Sequence, residues 1–217
     1  PDHPTAIDRK FGLEREIPEE TVEALLVDLL KAPVRRDLAA LLRSRLGRDL
    51  ESHDIYFEDL FEARSAESLN DAVRQRFPDE QAFEAQLPEV LRGLGFTEAD
   101  SEFLGRRVRV EIARGSGHAM RPQLGEYGAW LRTNRLKDQL GWDGFDTAMH
   151  ELGHNLEQLC STFFVPRKAL RGVPNTACTE AFAFMYQGLA KRVLGLEDPA
   201  EAERTYHENA ISGMLMA

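Results

Sequence analysis

Residues 143–161 read DGFDTAMHELGHNLEQLCS, with His150-Glu151-Leu152-Gly153-His154 at their centre. On an α-helix, residues four apart differ by about 40° and lie one turn apart, so the imidazoles of His150 and His154 can reach one ion. Taking His150 as zero and about 100° per residue, His154 falls near 40° and Glu151 near 100°. Phe145, Met149, Leu152, Leu156 and Leu159 cluster between about 180° and 260°. An apolar stripe therefore packs on one side while both histidines and Glu151 look out of the other. Gly153 lets a neighbouring backbone or ligand approach closely, and Asp143 or Asp146 is placed to cap the helix start. With six histidines in the chain, a chance H-E-x-x-H arises on the order of 1–2% of the time. The expected reading is a metal site, its rival two exposed histidines on an amphipathic helix.

Upstream of this helix the pattern has period two. Val108, Val110 and Ile112 alternate with Arg107, Arg109 and Glu111, as in a half-buried strand. Gly115-Ser116-Gly117 reads as a turn into a second extended piece at His118 to Arg121, and Tyr127 to Thr133 as a third. These pieces predict a small antiparallel sheet just before the motif helix. Elsewhere the chain is helical. A helix starts at Pro18-Glu19-Glu20, with acids suited to its N-terminal dipole. Val22, Leu25, Leu26, Leu29 and Leu30 give it a stripe of packing residues, and Pro33 ends it. Leu38, Leu41, Leu42 and Leu46 form the next stripe, up to Gly47. Shorter helical pieces punctuated by Pro78, Pro88, Gly93 and Gly95 follow, and helices at roughly 143–161, 176–194 and 198–213 complete the chain. Residues 1–16 read as a loop or arm.

The predicted fold class is mainly α, with a small antiparallel β-sheet beside the metal-binding helix, in one catalytic-core domain over residues 1–217. The absence of an initiator Met and the apolar end Ile211-Ser212-Gly213-Met214-Leu215-Met216-Ala217 predict that the chain is a piece of a longer protein. A net charge of −10 with 27 scattered basic residues opposes nucleic-acid binding. No stretch approaches the ~20 apolar residues of a membrane span, and no signal peptide is visible. Two cysteines, Cys160 and Cys178, make no disulfide framework, which predicts a cytoplasmic protein.

A catalytic zinc site takes three protein ligands and leaves a fourth position for water. In one class the third ligand is a histidine six residues after the second, behind a glycine; Glu157 and Cys160 stand at those positions here. In the other it is a glutamate from a later helix, for which Glu180 is the best candidate. On its own wheel Glu180 lies opposite Cys178, Phe182, Met185, Leu189 and Val193, as an ordinary exposed glutamate also would. Glu157 competes, being about 20° from His150, though two turns along the axis.

The HELGH helix, with Glu180 placed 26 positions after His154, resembles the thimet oligopeptidase, oligopeptidase A and oligoendopeptidase F family of zinc metallopeptidases. Leu46-Gly47-Arg48-Asp49-Leu50-Glu51-Ser52-His53-Asp54-Ile55-Tyr56 resembles the family's segment ending in an aspartate before aromatics. Ala113-Arg114-Gly115-Ser116-Gly117-His118-Ala119 resembles its Arg-x-Gly turn. The resemblance runs from about residue 45 to 190. It implies a mostly helical fold with a small sheet, cleavage of oligopeptides rather than folded proteins, and His150, His154 and Glu180 as Zn²⁺ ligands with Glu151 as catalytic base. Two departures stand out. Ala181-Phe182-Ala183-Phe184 follows Glu180 where the family has a small polar stretch. The family's C-terminal histidine and tyrosines, which bind the transition state, have no assigned counterpart, with Tyr206-His207 near the corresponding end. His118 and Tyr127 read as structural.

The expected function is therefore zinc-dependent hydrolysis of peptide bonds in oligopeptides, with Glu151 taking the proton of the attacking water. A peptide would add as a strand near Gly128-Ala129-Trp130. One rival is a zinc carboxypeptidase or aminopeptidase, with Arg121 or Arg132 anchoring a chain terminus. The other is a non-catalytic helical interaction protein.

Overall fold

The structure, a computed structural model, describes residues 17–56, 66–122, 125–135, 139–172 and 176–196, with isolated positions nearer the termini. They group into two compact units, one drawn from residues 1–63 and 198–217, the other from 64–197. Among the described residues, no helix is long and apolar enough to cross a membrane. The protein is mainly helical, with one three-stranded sheet. The arm at 1–16 and the helix expected at 198–213 fall mostly outside the described residues.

In the first unit, α1 (Glu19–Lys31) carries Glu19 and Glu20 in its first turn. Helix α2 (Val34–Leu46) stops at Gly47, whose φ of 67° suits a residue without a side chain. The expectation that the α1 stripe packs is corrected: Val22, Leu25, Leu26 and Leu30 are exposed, and α1 has no buried residue. Periodicity says which face a helix can bury, not what is there to cover it. Leu42 of α2 is buried. Beyond α2, Arg48 grips the carboxylate of Asp54 with both terminal nitrogens, at 2.9 and 2.7 Å, and the Glu51 N–H donates to the same group at 2.6 Å. The conspicuous Asp54 of this segment is thus part of a local clasp, and its carboxyl is pulled down to about 2 by Arg48 and then the Glu51 amide.

The second unit is built on the motif helix. Helices α3 (Ala66–Arg76), α4 (Glu80–Gly93) and α5 (Glu98–Gly105) precede the sheet. Asp79 caps α4 through the Ala82 N–H and Thr97 caps α5 through the Asp100 N–H. Pro88 does not punctuate the chain as expected; it lies inside α4 and seats Gly105 against it, where a Cβ would come 2.7 Å from the Pro88 nitrogen. Phe77 and Phe83 meet Phe145 of α6 (Trp142–Phe163) in an aromatic cluster, with ring centroids 4.9–5.7 Å apart. All three rings are fully buried, so truncating any one costs about 3–5 kcal/mol.

The sheet is mixed rather than antiparallel. β1 (Val108–Ala113) pairs in parallel with β3 (Ala129–Asn134), and β2 (His118–Met120) pairs antiparallel with β3 from the other side. Residues 114–117, with Gly115 at φ 110°, carry the chain from β1 past the end of β3. β3 is the middle strand, and its inward residues Ala129, Leu131 and Thr133 are fully buried beneath the sheet. The Thr133 hydroxyl donates to the Gly144 carbonyl of α6, tying the two elements together.

α6 buries Phe145, Met149, Leu152, Leu156 and Leu159 completely, as its wheel predicts. Its start differs from expectation. Neither Asp143 nor Asp146 caps it; Gly141 holds the cap position, and the Asn70 side chain of α3 accepts from the Trp142 N–H at 2.7 Å. The helix expected at 176–194 is two, α7 (Thr176–Gln187) and α8 (Ala190–Val193).

Candidate metal centre

The centre lies where α6 and α7 cross. At Gly153 an added Cβ would sit 2.7 Å from the Ala183 Cα, 3.0 Å from the Phe182 carbonyl oxygen and 3.2 Å from the Tyr186 Cβ. Only a residue without a side chain admits that approach, so the close packing expected of Gly153 is present. The predicted stripe is met in part: Phe182, Leu189 and Val193 pack on the core, whereas Met185 and Cys178 are exposed and Ala183 and Tyr186 are buried in their place. The crossing is made through small residues, and it turns Glu180 toward the histidines.

His150, His154 and Glu180 each offer one ligand atom, all within 4.8 Å of one another. Glu180 Oε2 lies 3.5 Å from His150 Nε2, and Glu180 Oε1 lies 3.5 Å from His154 Nε2. Two donors at 2.0–2.1 Å from one tetrahedral ion stand roughly 3.3–3.4 Å apart, so the group is spaced to hold a metal ion. The His150 and His154 rings lie 4.9 Å apart, and Phe184 packs edge-on against His150 at 5.0 Å. On the far side of His150, Nδ1 is hydrogen-bonded to Gln187 Oε1 at 3.0 Å, and Gln187 Nε2 donates to Asp146 Oδ2 at 2.5 Å.

The three ligand candidates open into a cleft of ≈ 410 Å³ lined also by Glu151, His118, Arg121, Glu157 and Thr179. Glu151 is 8% exposed, and burial pushes its carboxyl above the ordinary range against the opposing pull of His150 and His118. Burial lowers the pKa of His154, favouring the neutral imidazole that a metal requires. Gly117, in the β1–β2 connection, packs against Glu151: a Cβ there would clash with the Thr147 side chain and come 2.7 Å from Glu151 Oε1.

No protein-family model, curated protein or solved structure matches the chain. The site therefore rests on its own geometry.

The structure brings together four residues singled out by sequence, His150, Glu151, His154 and Glu180. Glu157 shares the cleft but lies outside the ligand group, its carboxyl raised by burial and drawn back by Arg121. Cys160 is half-buried, its thiol pushed up by burial. His118 lines the cleft, whereas Tyr127 is exposed. The peptide edge expected at Gly128-Ala129-Trp130 is corrected: Ala129 and Trp130 belong to the middle strand, and β2 is the edge that borders the cleft. Tyr206 lies outside the described residues. Gln187 was not foreseen, since a lone glutamine late in a helix carries no pattern.

Proposed function

We propose that the chain is a zinc-dependent peptidase acting on extended oligopeptides, with His150, His154 and Glu180 as ligands and Glu151 as general base. The observation that carries this reading is the placement of Glu151. It stands in the same cleft as the ligand group without belonging to it, and burial raises its basicity. Two imidazoles and one carboxylate, with a cleft in front of them, are the donor set of a catalytic zinc site. When bound, zinc lowers the pKa of a water toward ~7 and polarises a carbonyl.

Glu151 takes the proton of the attacking water and returns it to the leaving amine. His118, which lines the same cleft and draws down the Glu151 carboxyl, is the imidazole placed to donate to the developing oxyanion. The peptide adds as a strand to β2, whose outer side is unpaired among the described residues. Elemental analysis should find about one zinc per chain, and Glu151→Gln should keep that zinc while peptide hydrolysis falls by ~10²–10⁴-fold. A zinc-free wild-type chain, or full activity in Glu151→Gln, overturns the proposal.

One observation favours a second reading, trimming from the C-terminus. Arg121 lines the cleft and makes no hydrogen bond or ion pair among the described residues, whereas the Arg132 Nε is held 2.9 Å from Glu111. Of the two anchors weighed for a terminal carboxylate, only Arg121 stands in the cleft.

A further inference from the structure

Asp146, His150 and His154 form one row along α6, spaced four and four. Glu180 and Gln187 form the facing row on α7, seven apart. Across the rows, Glu180 meets both histidines, and Gln187 meets His150 and Asp146. His154 makes no hydrogen bond through Nδ1 among the described residues, so of the two imidazoles only His150 is held from behind.

With Asp146 ionised, the donors and acceptors of this row admit one order. A carboxylate accepts and does not donate, so Asp146 Oδ2 takes the Gln187 Nε2–H, at 2.5 Å. That leaves the amide oxygen of Gln187 pointing at His150 Nδ1, 3.0 Å away. An amide oxygen only accepts, so Nδ1 must carry the proton, and the lone pair is left on Nε2. Nε2 is the atom that faces Glu180, 3.5 Å off.

We propose, building on the metal-centre reading, that Asp146 and Gln187 are positioning residues. They form a relay that fixes the tautomer and tilt of His150 so that Nε2 is presented to the ion. Asp146 makes no hydrogen bond to a ligand candidate among the described residues; its hydrogen bond is to Gln187, and only its charge reaches His150 directly. Partners of this kind raise the basicity of a ligating imidazole, and losing one costs 10–100-fold in metal affinity.

The test is the Zn²⁺ dissociation constant of the full chain by competition with a chromophoric chelator, with circular dichroism confirming the fold of each variant. Gln187→Met keeps the side chain's length and removes its amide; Asp146→Asn frees the glutamine to turn its N–H₂ toward His150. Each should bind Zn²⁺ about 10–100-fold more weakly than wild type. The double variant Asp146→Asn/Gln187→Glu restores the order of donors and acceptors. Its new amide donates to the new carboxylate, which also accepts from His150 Nδ1–H, and affinity should return to within about threefold of wild type. Single variants that bind as wild type overturn the relay and leave the metal centre standing. A double variant no better than the singles reduces the pair to packing and also overturns it. A wild-type chain that binds no Zn²⁺ removes the metal centre and the relay with it.

Discussion

Gly153 and Ala183 stand so close that a Cβ on the first would lie 2.7 Å from the Cα of the second. The contact sets the distance between α6 and α7, and so places Glu180 over His150 and His154. Gly153→Ala would force the helices apart at a cost of about 1–3 kcal/mol, although alanine is the better helix former. The variant should unfold at lower temperature and bind Zn²⁺ more weakly. Thermal unfolding with and without added zinc measures both effects. A variant as stable and as metal-competent as wild type would show that the helices can part without disturbing the site.

Gly117 packs against Glu151 rather than against the candidate ligands. A methyl group there meets Glu151 Oε1 and the Thr147 side chain, and neither belongs to the His150–His154–Glu180 group. Gly117→Ala should keep its zinc while kcat falls, by up to ~10²-fold if the carboxylate shifts by about 1 Å. Parallel metal analysis and peptide turnover distinguish this from loss of the centre; a drop in zinc content equal to the drop in turnover would contradict it.

Arg121 separates internal cleavage from terminal trimming. If it anchors a C-terminal carboxylate, Arg121→Ala should raise KM about 10–100-fold for peptides with a free C-terminus, the range for one charge-assisted hydrogen bond. The same peptides carrying a C-terminal amide should be unaffected. Equal effects on both sets would assign Arg121 to the walls of the cleft, where its guanidinium lies against Gly172.

The Arg48–Asp54 clasp sets a pH dependence in the other unit. The Asp54 pKa falls from 3.8 to about 2 on folding. Between these values the unfolded chain binds more protons than the folded one, so stability rises with pH across that window. The contribution is complete above about pH 4 and is lost as pH falls toward 2. Asp54→Asn should flatten the acid-unfolding profile between those limits; an unchanged slope would show that other carboxylates carry it.

Much of the site was legible because α6 states its own geometry. His150, Glu151 and His154 fall on one face by helical period, the five apolar residues on the other, and Gly153 announces a close neighbour. What was not legible depends on distant parts of the chain. β1 and β2 are joined by a turn of four residues, yet β3 lies between them, a pairing that local alternation does not specify. The stripe on α7 is met only in part for a related reason: Phe182 packs on the core, whereas Met185 stays exposed and the contact with Gly153 of α6 runs through Ala183. Asp146 could be noticed only as a helix cap, since its partner Gln187 lies 41 positions away.

The two edges of the sheet are treated differently. On β1 the outward N–H groups of Val110 and Ile112 are taken up by the carboxylates of Glu84 and Glu80 on α4, at 2.9 and 3.0 Å. Another copy of the chain cannot extend the sheet from that side without displacing two charged side chains. The opposite edge, β2, is three residues long, too short to template a fibril-like ladder. A protein built this way can keep one strand edge open beside its cleft and still resist strand-to-strand aggregation.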